Sequence, residues 1–565
     1  MTGRFRLRRA AWLARDLLIA ACTATSEAQP GEMRTRAAAR LVADGHEPIM
    51  VARLPTGSLD RRPHELVLEA GEAHVFASSV EAREALTDLK TFVRDHLAGR
   101  DSEARARLQA ALVEAAADYG LSAELAESLH ALREALRERC ALAVAEEPAR
   151  VPLGVEGLHR IDDNGFYLRG WFHAASAGTP AISAVSPEGE RVELLSRTSF
   201  ARPLDDQHGF VCYFRTRAPS RRQDGWIVEA QDAGDSVEVA SSITATDRGR
   251  VLRAIVADAT AEGPSADAVR ESHVRPALTR IQEIRRESVG IDAVETHGAV
   301  PRDPAVSLVV PLFERIDLVE HQLVQFAGDT ELHECEVIYV LDSPDQADEL
   351  EHFARQLHRL YDLPFRTAVL NGNGGVPLAR NLGASLATGR HLLFLDSDVL
   401  PARTGWVGDL SRLLDARPRA GAVAPKLLHE DESVQHAGMT IEPVAGVREW
   451  SIEHRMKGLH TSLPAVNASA RVPAVTGACL MIDRALFGRL GGMSWTYVQG
   501  DYEDADLCLR LAQEDLDSLY APEVSLFHLE GQSYPPETRA VNRRYNRWLF
   551  SRAWDATLEE LSRNA

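Results

Sequence analysis

From Ala305 onward, apolar runs of strand length alternate with helical patterns, and that alternation restricts this part of the chain to an α/β fold. Val306-Ser307-Leu308-Val309-Val310-Pro311 and Val337-Ile338-Tyr339-Val340-Leu341 are nearly continuous apolar runs, the pattern of strands covered on both faces. Between the second run and a third, His391 to Leu395, the residues Leu350, Phe353, Leu357 and Leu360 recur at helical spacing after Asp345. Strand and helix in alternation predict a largely parallel sheet, whose ligands lie beyond the carboxyl ends of its strands. Polar residues that follow strands are therefore the candidates for chemistry.

The third run leads into Asp396-Ser397-Asp398. Two carboxylates one residue apart at a strand end can converge on one hard divalent cation, or divide between a cation and a ribose hydroxyl. Spacing alone is weak, because Asp504 and Asp506 repeat it in this acidic chain. Context strengthens it: Asn371-Gly372-Asn373-Gly374-Gly375 opens a helix carrying Arg380, Asn381 and Gly383, where glycines permit close backbone approach and the helix start favours an anionic or polar ligand. A second cluster, Gly500-Asp501-Tyr502-Glu503-Asp504-Ala505-Asp506-Leu507, places carboxylates at a helix N-terminus, with Leu507 and Leu511 one turn apart on its buried side. A further strand, Leu526-Phe527-His528, ends on a histidine, a plausible nitrogen ligand beside a cation.

In this order the motifs resemble the family 2 glycosyltransferases of the GT-A fold, over roughly residues 303–555. The resemblance rests on Val309-Val310-Pro311, Val340-Leu341-Asp342, Ala379-Arg380-Asn381-x-Gly383, Asp396-Ser397-Asp398, Val475-Thr476-Gly477-Ala478-Cys479, Gly491-Gly492, Glu503-Asp504-x-Asp506-Leu507 and His528-x-x-Gly531-x-Ser533. It implies a nucleotide-diphosphate sugar donor bound by Pro311, Asp342, Arg380 and Asp396, with Asp342 and Arg380 toward the nucleobase. It implies Mn²⁺ or Mg²⁺ held by Asp396, Asp398 and His528. Asp504 would be the general base for a hydroxyl acceptor, a glycan or lipid-linked glycan, with Glu503 orienting the acceptor or sharing that role, in an inverting single displacement. One departure stands out: where the family often closes its second strand on two acids, the first place here is Leu341.

Other readings of these motifs fit less well. A nucleotidyltransferase needs a Gly-rich loop with Arg and Lys after the first strand, and Leu312-Phe313-Glu314-Arg315-Ile316 has neither glycine nor lysine. A processive synthase would add membrane helices and a Gln-x-x-Arg-Trp element, whereas Tyr545-Asn546-Arg547-Trp548 lacks the glutamine. The non-enzymatic alternative is a carbohydrate-binding scaffold with a decayed transferase domain, against which the intact Asp396, Asp398 and Asp504 argue.

With 565 residues, the chain has room for several domains. Residues 1–150, rich in Ala, Leu, Arg and Glu, predict a mainly helical region, with Leu125, Leu129, Leu132 and Leu136 forming one apolar face. Arg4 to Arg9 and the following apolar stretch look like an export signal or lipoprotein box at Cys22, but Arg15 and Asp16 interrupt them, so an amphipathic helix on a cytoplasmic protein is expected. Residues 151–245 contain β-branched and aromatic runs between turns and predict a small β-sandwich, with Trp171 and Trp226 as core or as a sugar platform. Residues 246–302 predict a polar helical linker, and 303–565 the transferase domain. A formal charge of −20 disfavours nucleic acid. Six scattered cysteines without a Cys-x-x-Cys pair indicate neither a zinc knuckle nor a disulfide framework. No segment reaches the ~18 apolar residues of a membrane span, which leaves peripheral contact as the only membrane role.

Overall fold

The computed structural model describes residues 153–564, apart from the loops 174–179, 195–196, 202–206, 233–234, 260–264 and 530–535, together with the backbone of strands between residues 3 and 78. The chain divides into two compact units, Met1–Arg150 and Val151–Ala565.

In the first unit, six strands (Gly3–Ala14, Leu17–Ala24, Arg34–Val42, Ile49–Arg53, Glu65–Ala70 and Ala73–Ser78) close into a barrel. This corrects the helical expectation for that segment, including the amphipathic helix around Leu17, which is a strand antiparallel to Gly3–Ala14. The basic residues explain the difference: Arg4, Arg6 and Arg8 alternate with Phe5 and Leu7, a period of two that belongs to a strand. The leucine stripe from Leu125 to Leu136 lies outside the described residues.

The second unit opens with two four-stranded antiparallel sheets. One has the order Arg191–Glu193, Ala181–Val185, Asp224–Asp232, Asp235–Ser242; the other Thr198–Ala201, Gln207–Arg215, Gly165–His173, Leu153–Arg160. Alternate residues of both meet in one core that includes Phe166, Phe172, Phe210, Phe214 and Trp226. Trp226 is fully buried, and the Trp171 ring lies so close over Gly154 that a Cβ there would come within 2.4 Å of it. Trp226 is thus core, not a sugar platform.

The helices that follow, α1 (Arg248–Asp258) and α2 (Arg275–Ser288), are more than a linker. Their apolar residues Val251, Ile255, Leu278 and Ile281 share a core with Tyr167 and Val211 of the sandwich and with Val498, Tyr545 and Trp548 further on. Polar bonds follow the same route. Tyr167 donates to Asp258 at 2.9 Å, and Gln282 donates to the carbonyls of Trp495 and Tyr497 at 3.0 and 3.2 Å.

The large sheet begins upstream of residue 303. Strand β1 (Ile291–His297) forms its edge, antiparallel to β4 (Phe365–Leu370). Next come β3 (Glu336–Leu341), β2 (Val306–Leu312) and β5 (His391–Leu395), all parallel to β4, and then β8 (Cys479–Asp483), β7 (Ala420–Leu428), β9 (Asp517–His528) and β6 (Val399–Pro401). Side chains alternate between two buried faces. Val309, Val340 and Phe394 pack on one side, against α3 (Val376–Leu386) and α4 (Glu503–Gln513), while Leu308, Val310 and Leu395 pack on the other. The long helix α5 (Pro536–Asn564) closes the chain. Among the described residues no helix is long and apolar enough to cross a membrane.

Candidate active site

One cavity off the carboxyl ends of β2, β3 and β5 is lined by Pro311, Asp342, Arg380, Asp396, Asp398, Glu503, Asp504 and His528, so every site residue expected from sequence reaches the same space. The final Gly531 and Ser533 of the last motif lie outside the described residues.

At one end are Asp396, Asp398 and His528, whose ligand atoms lie within 4.8 Å of one another. The turn after β5 that carries the acids is tied from below: the Gln322 amide, fully buried, donates to the carbonyls of Asp396 and Val399 at 2.8 and 3.0 Å. His528 reaches the acids because β9 pairs with the short β6 just past them, with Val399 opposite His528. Its Nε2 is 3.3 Å from Asp398 Oδ1. Two carboxylates and an imidazole are a donor set suited to a divalent ion such as Mn²⁺.

Arg380, expected at the nucleobase end, is instead buried at the centre, 2 % exposed. Its Nη2 donates to Asp396 Oδ1 at 2.5 Å and to the Gly477 carbonyl at 2.9 Å, and its Nη1 pairs with Glu503 Oε1 at 3.1 Å. The guanidinium therefore braces the two acidic clusters against each other. Gly477 is the one residue that fits beside it, since a Cβ would lie 2.6 Å from Arg380 Nη1. The neighbouring Asn381 is clamped by a reciprocal pair of bonds with the Met493 backbone, both 2.8 Å.

Asp342 is also occupied from within. Its carboxylate accepts the N–H groups of Gly374 and Gly375 at 2.6 and 2.8 Å and the Asn373 amide at 3.1 Å. Gly375 has φ of +80°, a turn that suits glycine. Burial pushes the Asp342 carboxyl up to about 6, against the opposing pull of the two backbone N–H groups. Asp342 thus shapes the glycine loop at the cavity wall.

At the other end Glu503, Asp504 and Asp506 occupy the first turn of α4, where the helix dipole favours them. They diverge. Asp506 points into the protein, accepting from Trp554 Nε1 at 2.9 Å, Tyr497 Oη at 3.3 Å and Arg510 Nε at 2.9 Å. Asp504 accepts from the N–H of Gly477 at 2.9 Å and of Ala505 at 2.8 Å, and it remains partly open to the cavity. Burial raises its pKa. Glu503 is 4 % exposed and its Oε2 has no hydrogen-bond partner. Burial, with the Asp504 charge beside it, lifts its carboxyl to about 8 despite Arg380.

The approach to α4 is strained: Gln499, Gly500, Asp501 and Tyr502 have φ of +64°, +132°, +68° and +78°. For a non-glycine residue such a conformation costs on the order of 1–3 kcal/mol. Asn546 of α5, fully buried, holds the run by accepting from Val498 N at 2.9 Å and donating to the carbonyls of Val498, Gly500 and Asp501.

The cavity also takes Gln435, His454, Arg539 and Arg543, which the sequence reading did not single out. Arg539 and Arg543 had a readable signal, their spacing of one helical turn on α5. Gln435 sits on a three-residue strand, Val434–His436, with no local pattern to mark it.

Residues 307–491 match the family described as Glycosyl transferase family 2, and they lie on the mixed α/β sheet described above. Among curated relatives, the chain is 28% identical over 254 residues to the uncharacterized protein y4gI of Sinorhizobium fredii (strain NBRC 101917 / NGR234), covering 43% of this chain and 26% of that one. It is 29% identical over 237 residues to the O-antigen biosynthesis protein RfbC of Myxococcus xanthus, covering 41% and 18%. It is 28% identical over 188 residues to the N-acetylglucosaminyl-diphospho-decaprenol L-rhamnosyltransferase of Mycobacterium tuberculosis (strain ATCC 25618 / H37Rv), covering 28% and 59%. The chain therefore spans about a quarter or less of the first two relatives' length.

Proposed function

We propose that the chain transfers a sugar from a nucleotide-diphosphate donor to a hydroxyl acceptor, a glycan or lipid-linked glycan, by metal-dependent single displacement with inversion. The observation that carries this reading is the meeting of Asp396, Asp398 and His528 in the same cavity as the partly open Asp504. Asp396, Asp398 and His528 would hold Mn²⁺ or Mg²⁺, which when bound supplies positive charge to a diphosphate leaving group. Asp504 takes the proton of the attacking hydroxyl, and its raised pKa brings it nearer the range in which a carboxylate is an effective base. Glu503, enclosed beside Arg380, is better placed to hold Asp504 and the acceptor side in position than to exchange protons itself.

Two roles inferred from the family resemblance shift. Arg380 and Asp342 organise the site from behind, Arg380 by joining the acid clusters and Asp342 by fixing the glycine loop against which a base would lie.

The test is a panel of UDP-, GDP- and dTDP-sugars offered with and without Mn²⁺. One donor class should raise the melting temperature only with the metal, since occupancy at a hundredfold excess over Kd stabilises by about 2.7 kcal/mol. That donor should release nucleoside diphosphate when an acceptor is added. If no nucleotide sugar stabilises the protein under either condition, the reading is wrong.

A further inference from the structure

We infer that Gln435 is a positioning residue that fixes the His528 ring as a metal ligand, an inference resting on the metal reading above. Gln435 is 3 % exposed on the strand Val434–His436, which pairs antiparallel with the end of β7. Its amide meets His528 twice, across 93 residues of sequence. Its Oε1 lies 2.6 Å from His528 Nδ1, and its Nε2 lies 3.2 Å from the His528 carbonyl oxygen.

These two contacts place a hydrogen on one ring nitrogen. A carbonyl oxygen only accepts, so the amide nitrogen must face it and the amide oxygen must face the ring. The His429 ring nitrogen, 3.4 Å from the same Gln435 nitrogen, is a second acceptor on that side. Nδ1 of His528 therefore carries hydrogen, and in the neutral ring Nε2 presents its lone pair. That lone pair faces Asp398 Oδ1 at 3.3 Å, an acceptor against an acceptor. The pair repels unless a proton or a cation lies between them, and with Nδ1 held by Gln435 the ring presents the nitrogen that ligation of a divalent ion requires. Gln435 thus does for His528 what a carboxylate or carbonyl partner does for most metal-bound histidines: it holds tautomer and orientation.

The experiment titrates the full chain with Mn²⁺ alone, following free Mn²⁺ by electron paramagnetic resonance, in wild type, Gln435→Met, His528→Ala and the double variant. Methionine keeps the side-chain length and removes both hydrogen bonds. Mn²⁺ affinity is expected to fall about 10- to 100-fold in Gln435→Met with a melting temperature close to wild type. In the His528→Ala background the same change should produce no further loss, because the glutamine acts only through the ring. Gln435→Asn, one methylene short of both contacts, serves in its place if the methionine variant does not fold. If His528→Ala weakens Mn²⁺ binding but folded Gln435 variants bind like wild type, or if the two losses add in the double variant, Gln435 does not act through His528 and this inference alone fails. If wild type binds no Mn²⁺, the metal reading fails with it.

Discussion

The two ends of the cavity are built by opposite means. Asp396, Asp398 and His528 sit where regular strands stop, on backbone of ordinary conformation, and their ligand atoms converge on one point. Glu503 and Asp504 follow four residues of positive φ, and their carboxylates are parcelled out among backbone N–H groups and one buried arginine. An end that only has to collect charge can be made by sheet topology alone. An end meant to leave one carboxylate reactive needs its neighbours satisfied elsewhere, and here Arg380 takes Glu503 while Trp554, Tyr497 and Arg510 take Asp506.

The comparison is broken most directly by Asp504→Asn. Transfer is expected to fall by about 10²- to 10⁴-fold while donor binding stays near wild type, because a proton acceptor acts in the transition state. Steady-state kinetics beside donor titration check it, and a near-normal rate would move the base elsewhere. Next in size, Asp398→Asn removes charge from the metal end with little change in volume. It should lower Mn²⁺ affinity by about 10²-fold or more, beyond the usual effect of an outer partner, as measured by Mn²⁺ titration of a folded variant.

Asp506→Asn tests whether neighbours on one helix turn have separate duties. It leaves Arg510 without its charged partner and disturbs bonds to Trp554 and Tyr497, so a loss of about 1–3 kcal/mol in stability is expected, with turnover per folded molecule kept. Denaturant unfolding and active-site-normalised rates separate the two.

The last effect is a slope, small at each step of pH. Glu503 is raised in the folded state from an ordinary 4.5 to about 8, so between those values the folded protein holds a proton that the unfolded chain has released. Its contribution to stability is complete at the acid end of that window and is lost as pH rises through it, by at most about 1.4 kcal/mol per pH unit. Glu503→Gln should flatten this part of the stability-against-pH curve, and an unchanged slope would show that the carboxyl is ionised throughout.

Strand-end acids were legible in the sequence because apolar runs of strand length announce where a sheet stops, and ligands gather beyond that point. Arg380 was legible as a site residue, but only the packing of α3 on β2 and β3 reveals that its guanidinium is enclosed by Asp396, Glu503 and Gly477. The bonds Asp342 makes were hidden for a similar reason: the glycines that donate to it are 32 and 33 residues away. Strand β1 escaped because an edge strand carries exposed charge, as Asp292 does, and reads as polar linker. A boundary at residue 303 would remove this strand and uncover Val498, Tyr545 and Trp548.

The latch of Asn546 on the strained run Gln499–Tyr502 bears on modularity. The stretch that matches the family ends at residue 491, yet the acids of α4, the histidine at the end of β9 and the amide that keeps the run in shape all lie after it. A graft of the matching stretch into another host would carry Asp342, Arg380, Asp396 and Asp398 and leave Glu503, Asp504 and His528 behind. Any transplant of the α4 acids has to move α5 with them as one heritable piece, because Asn546 of α5 holds the run that leads into α4.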